Sequence, residues 1–344
     1  MFNWIPASAG MTVLYSMLKI IFNTVLGLVL IFIWSRFVNL DEIFSTISKV
    51  NLLNLIPLFL FMLLSPVIRA LRLKIILAEV KKIKFLDLIF LNGVAMMLNF
   101  FIPIRAGEIA KGVYLNTNYN LPLGRSVIWV FLDRLVDFLV VLLVCSLLLL
   151  IVPTSLSIKF IIVITVILLT VLFLTYLAIF QVNFAKKLIS FLIYPLIVNH
   201  IKRSFERFSH FVLDSFSILN RHPKDLILIA LITVLAYGVD AFIWYFTFIA
   251  LGFPQHYLKM YLGQLLSALT YLIPAAPGYV GSAEASGLLI LSGIFDIDNN
   301  LASSMIVLAH ILTILFILVF GLISVFRLNL DLGVILKKAL RKGN

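Results

Sequence analysis

The chain has 344 residues, of which 63% are hydrophobic, against about 45–50% in an ordinary soluble domain. Its formal charge of +12 is carried in clusters between long apolar runs, the pattern of membrane-protein loops and not of a nucleic-acid-binding face. Cys145 is the only cysteine and lies in an apolar run, which excludes disulfides, C-x-x-C redox chemistry and cysteine zinc sites.

In chain order, the opening "MFNWIPASAGMT" lacks the basic start and apolar core of a signal peptide. Residues 1–13 read as a non-native or disordered leader, with the natural start at Met11 or Met17. Apolar segments then predict helices at about 14–34, 52–73, 85–102, 127–151, 159–181, 225–251, 257–273, 279–295 and 301–326, with a shorter piece at 104–115 after Pro103. The fold class expected is all-α: a polytopic membrane protein forming one transmembrane domain over 14–328, with a basic tail at 329–344.

Three stretches hold 18 of the 27 basic residues: Arg69–Lys84, Asn183–Lys224 and the tail from Arg327. The positive-inside rule places all three in the cytoplasm, together with both termini, and the uncharged turns at 152–158 and 252–256 outside. The expected membrane is the bacterial cytoplasmic (inner) membrane. These constraints force six full spans and two hairpins, the first entering from the cytoplasm and the second from outside. Each half, about 14–151 and 159–326, reads span, span, hairpin, span, with opposite orientation, a pseudo-inverted repeat. Whether each hairpin is re-entrant or fully crossing stays open, although the 104–115 arm is too short to span as a helix. Within 183–224, Phe205, Phe208, Val212, Phe216 and Leu219 recur at helical spacing opposite basic residues. That fits a helix on the headgroups or on the protein's own cytoplasmic face.

The hairpin turns concentrate the candidate chemistry. "PIRAGE" (103–108) and "PAAPGYVGSAE" (274–284) each present proline, glycine and glutamate before a new helix. Proline ends one helix, glycine allows close backbone approach, and the next helix starts with free N–H groups suited to phosphate. Arg105 adds a guanidinium fork beside Gly107 and Glu108, and Pro277, Gly278, Gly281 and Glu284 form the second turn. Glu108 and Glu284 could pair with Arg105 or Arg134, meet a cationic headgroup or carry a proton. Intramembrane charges cost at least about 2.5–3.5 kcal/mol each, so a role is the default expectation, against mere mutual neutralisation.

In "FLDRLVDFL", Asp133 and Asp137 share a helix face with Arg134 beside it, either as a charged cavity lining or as a structural network with Arg125, Arg105 or Arg69. The two carboxylates could also hold Mg²⁺ against a phosphate, but no denser acidic motif occurs and no metal site is assigned. Arg72 and Lys74 are expected to snorkel to headgroups, with Arg69 one turn deeper. Secondary candidates are Arg69, Asn99, Asp240, Gln264 and His310, each polar within an apolar segment. His310 reads first as a satisfied core histidine, and Asp240 as seeking a hydroxyl or a base, with Tyr237 three residues away.

"RALR", "IPIRAGEIAKG", "DRLVD" and "PAAPGYVGSAE" resemble the recurring motifs of the flippase-like, lysylphosphatidylglycerol-synthase transmembrane-region family, over about residues 15–328. The resemblance implies a standalone lipid-translocating portion without the soluble aminoacyltransferase domain found in some members. It implies lipid without specifying which lipid. Tyr279 and Val280 depart from an often more glycine-rich turn.

Three functions follow. The first is binding or translocation of an anionic or phosphate-bearing membrane lipid, with the headgroup between the hairpins and no cofactor. The second is an intramembrane transferase or phosphatase acting on a lipid phosphate. The third is a non-transporting partner of lipid-synthesis enzymes. No Walker A loop occurs, so ATP is not consumed by this chain.

Overall fold

The computed structural model describes residues 21, 23–78, 81–102, 106–121, 123–192, 223–270 and 276–330. The leader, Arg105, Pro103, Pro274, the amphipathic segment at 201–219 and most of the basic tail lie outside the described residues. Among the described residues all regular structure is helical: α1 (Asn23–Ser35), α2 (Leu40–Ser48), α3 (Leu55–Leu77), α4 (Phe85–Phe101), α5 (Ala106–Tyr119), α6 (Leu123–Ile151), α7 (Ile158–Phe180), α8 (Val182–Leu192), α9 (Pro223–Ala250), α10 (Tyr257–Thr270), α11 (Ser282–Leu288) and α12 (Asn299–Arg327).

Five of these helices are long and apolar enough to cross a membrane, and a sixth span results if α1 and α2 count as one bent pair. The 88° bend between α1 and α2 was not anticipated, and no helix was expected between residues 34 and 52. Its cause is local. The Asn39 side chain accepts from the N–H groups of Asp41 and Glu42, which caps a new helix with two acids in its first turn. The corner is tied to the start of α12: Asn300 accepts from the Asn39 N–H at 2.8 Å and donates to Glu42 at 2.6 Å, and Trp34 donates to Ser303 at 3.1 Å.

The two hairpins are α4–α5 and α10–α11, the latter extended by a π-helical turn at Leu289–Ile294. With 14 residues, α5 reaches only about 21 Å, short of an apolar core of about 30 Å. α10, also of 14 residues, is equally short, and described residues flanking the two turns approach each other. The Phe100 ring, near the end of α4, lies 5.8 Å from the Tyr279 ring of the second turn and 6.1 Å from His310.

The packing respects an exchange of halves. α3 lies along α9, α4 along α12 and α10 along α6, so exchanging the halves maps the first pair onto itself and swaps the other two. Phe61 stacks on Phe242 and Phe246 while Arg72, further along α3, reaches Thr233, so α3 and α9 run antiparallel. α4 and α12 are also antiparallel, with Gly93 against Phe320 and Ser324 and Phe100 against His310. α6 and α12 are each 29 residues long. α7 packs chiefly on α6 and exposes Ile162, Val163, Val166, Ile167, Phe173 and Leu174, the surface of a lipid-facing helix.

Candidate functional site

Helix positions decide which charges meet. α3, α5, α6 and α9 converge at the end of the bundle that carries the basic 78–84 loop, and each brings ionisable groups inward. Arg72, from α3, is 1% exposed and is not a snorkelling residue. Its Nε donates to Asp133 Oδ1 at 2.8 Å, its Nη1 bonds Asp137 and donates to Thr233 Oγ1 at 3.0 Å, and its Nη2 donates to Asp137 Oδ2 at 3.1 Å. The expectation fails because a headgroup needs a free path to the guanidinium. Here two carboxylates, four residues apart on α6, close over it and supply better partners than water.

Arg134 extends the network. Its Nη1 donates to Asp137 Oδ2 at 3.0 Å, and its Nε lies 3.0 Å from Glu108 Oε1 of the first hairpin. That Nε approach is off the N–H line, so Arg134 Nε and Glu108 Oε2 are buried polar atoms without a hydrogen-bond partner among the described residues. Glu108 also faces the Lys111 ammonium at 3.7 Å, and Lys111 is 1% exposed. Asn99 joins the hairpin arms by accepting from the Gly107 N–H at 2.8 Å and donating to Glu108 at 3.3 Å. Gly107 is required for packing: a Cβ there would stand 2.2 Å from the Ala95 carbonyl oxygen.

Beside this network, Arg69 grips Asp240 through both oxygens, at 2.6 and 3.3 Å. Ser65 donates to Asp240 at 2.7 Å and lies in contact with Arg69. The Tyr237 ring lies 5.6 Å from the Arg69 guanidinium carbon, so it serves as a cation–π face and not as a partner of Asp240.

The second hairpin carries its own pair. His310 Nδ1 is 2.6 Å from Glu284 Oε1, and His310 Nε2 is 2.8 Å from the Gly278 carbonyl. Glu284 Oε2 accepts from the Gly281 N–H at 2.7 Å. Gly278, Tyr279 and Gly281 all have positive φ (73°, 56° and 81°), and Gly281 presses against the backbone of Gly27 in α1. The 26-residue separation of Glu284 and His310 recurs between Glu108 and Arg134. Each pair links the second arm of a hairpin to the span that follows it.

The site residues thus fall into two connected groups. Glu108, Arg134, Asp133, Asp137, Gly107 and Asn99 come together with Arg69 and Asp240 beside them, and Pro277, Gly278, Gly281 and Glu284 at the second turn meet His310 of α12. Gln264 stands apart on α10, with a buried Oε1 that has no hydrogen-bond partner among the described residues. Arg72, Lys111 and Thr233 were missed as site members. Lys111 was legible as the residue three beyond Glu108 on one helix face.

These features define an all-α, multi-pass membrane protein with two short-armed helical hairpins and a buried ion network at one of them. The profile of the lysylphosphatidylglycerol synthase TM region matches residues 19–321, and the chain belongs to that family. It is also similar to a UPF0104 membrane protein of Archaeoglobus fulgidus, 24% identical over 292 residues that cover 82% of this chain and 88% of that protein. No solved structure matches.

Proposed function

We propose that this chain binds a phosphate-bearing membrane lipid by its headgroup and carries it between leaflets of the bacterial cytoplasmic membrane. The observation that carries the reading is the buried network at the first hairpin, in which Arg134 stays one-third exposed and its Nε, 3.0 Å from Glu108 Oε1, makes no aligned hydrogen bond among the described residues. A charge network that leaves one guanidinium partly open and imperfectly aligned with its counter-charge is suited to receive an anion.

Charge balance supports a single anionic ligand. Arg69, Arg72, Lys111 and Arg134 are matched in number by Glu108, Asp133, Asp137 and Asp240. Arg105, at the start of α5, comes on top of that set in the sequence. A phosphate would meet Arg105 and the exposed edge of Arg134, beside the start of α5, where the Gly107 N–H is already held by Asn99. An apolar groove of about 400 Å³ between α6 and α7, lined by Leu139, Leu169, Leu172, Phe173, Tyr176 and Phe180, suits an acyl chain. The inverted halves would open the headgroup site alternately to either side. Asp133 and Asp137, which a metal-dependent lipid phosphatase would need free, are already held by Arg72, so binding and carriage are favoured over bond chemistry.

The test is transport in proteoliposomes, following fluorescent phosphatidylglycerol and a fluorescent ceramide without phosphate. The phosphate-bearing probe is expected to cross faster with protein present, and Arg134→Ala to remove the difference. Equal rates for both probes would count against the reading.

A further inference from the structure

The two acid–base links of the inverted repeat differ in one chemical respect. The first joins Glu108 to Arg134, whose guanidinium keeps its proton at every relevant pH. The second joins Glu284 to His310, and both of those groups titrate.

The geometry fixes the proton count. A carbonyl only accepts, so His310 Nε2, 2.8 Å from the Gly278 oxygen, carries hydrogen. His310 Nδ1 and Glu284 Oε1, at 2.6 Å, then share one proton, as imidazolium with carboxylate or imidazole with carboxylic acid. In either form the pair is neutral, which its burial requires: the two side chains are 11% and 9% exposed. Removing that proton sets two acceptors face to face and leaves an uncompensated buried carboxylate. Adding a second puts an O–H on Glu284 Oε2, against the Gly281 N–H that this oxygen now accepts. Only the one-proton state holds the turn to α12 and to the start of α11 at all three points.

Few charged groups surround the pair among the described residues. Of the elements packed on the turn and on α12, α1 has no charged residue, α4 only Asp87, α10 only Lys259, α11 none besides Glu284, and α12 only Arg327 besides His310, while α2 carries Asp41 and Glu42 and α9 carries Lys224, Asp225 and Asp240. Glu42 is held by Asn300 and Asp240 by Arg69. The electrostatic partners of the pair are each other and the backbone at Gly278 and Gly281. Tyr279 is the titratable neighbour on the turn, while α4 presents the edge of Phe100 and α1 presents Gly27.

We propose that Glu284 and His310 form the proton-binding site of this protein, and that gain or loss of their single proton releases the second hairpin from α12, coupling hairpin movement to a proton gradient. This rests on the carrier reading only in what the movement serves. The pair itself is read without any lipid.

The test uses the full chain in phospholipid nanodiscs. Solid-state NMR on ¹⁵N-histidine protein, assigned against His310→Arg, follows the ring across acidic to alkaline pH. In parallel, a cysteine at Val280 in a Cys145→Ala background reports alkylation rate, with a cysteine at Phe253 correcting for thiolate ionisation. The His310 ring is expected to pass between the shared-proton state and an unpaired state. Alkylation at 280 is expected to rise about tenfold with it, the size of losing one hydrogen bond. His310→Arg rebuilds the chemistry of the first link and is expected to fold and lose the pH dependence. One ring state and one alkylation ratio at every pH would overturn the proposal, as would wild-type pH dependence in His310→Arg. If phosphatidylglycerol transport fails while the titration holds, the carrier reading falls and the proton site stands.

Discussion

Replacing Arg72 with alanine is expected to lower stability by about 3–5 kcal/mol, measured as loss of thermal stability in detergent. Asp133 is 2% exposed and Asp137 6%, and both lose their principal counter-charge in the variant. Arg134 cannot take over: it is already 3.0 Å from Asp137 and from Glu108, and it reaches Asp133 only at 3.8 Å. The damage is therefore one of stranded charge more than of lost contact. Adding Asp133→Asn and Asp137→Asn to Arg72→Ala is expected to recover much of the loss, because the neutral amides cost less to bury without the arginine. If the triple variant were no more stable than the single one, packing and not charge would account for the effect.

The second large effect is expected at Gly281. Alanine there meets two obstacles at once: φ of 81°, and a Cβ 2.0 Å from the Gly27 carbonyl oxygen. Neither neighbour is the flexible end of a side chain, so α1 and the hairpin turn must separate. A cost of about 2–4 kcal/mol follows from overpacking together with left-handed strain. Gly252 provides the control. It also has positive φ (85°), yet a Cβ there meets nothing within 4 Å, so Gly252→Ala tests backbone strain alone and is expected to cost less by thermal unfolding.

Much of this architecture was legible because hydropathy records it directly. The expected segments 85–102, 159–181, 225–251 and 301–326 correspond to α4, α7, α9 and α12 within a few residues. The hairpins were legible because proline and glycine interrupt the apolar runs there. The bend at α2 was missed although Asn39, Asp41 and Glu42 spell a helix start, because a helix of 9 residues does not register as a membrane-length apolar segment.

The site was only partly legible. Depth along one helix suggested that Arg72 reaches outward, but its partners lie 61 and 65 residues away on α6, and no rule local to α3 reveals them. His310 was read as a core histidine, and it is satisfied, but by Glu284 and the Gly278 carbonyl. The available signal was the repeated 26-residue step from hairpin glutamate to a basic residue, invisible until the halves are set in register.

The central claim is that a phosphate-bearing lipid is held at the first hairpin through Arg134 and Arg105. Lipid mass spectrometry on the purified protein in gentle detergent tests it most directly, comparing wild type with Arg134→Ala and Arg105→Ala. The account expects one phosphate-bearing lipid enriched over the bulk membrane in wild type and lost in both variants. The same bulk lipids in all three proteins would contradict it.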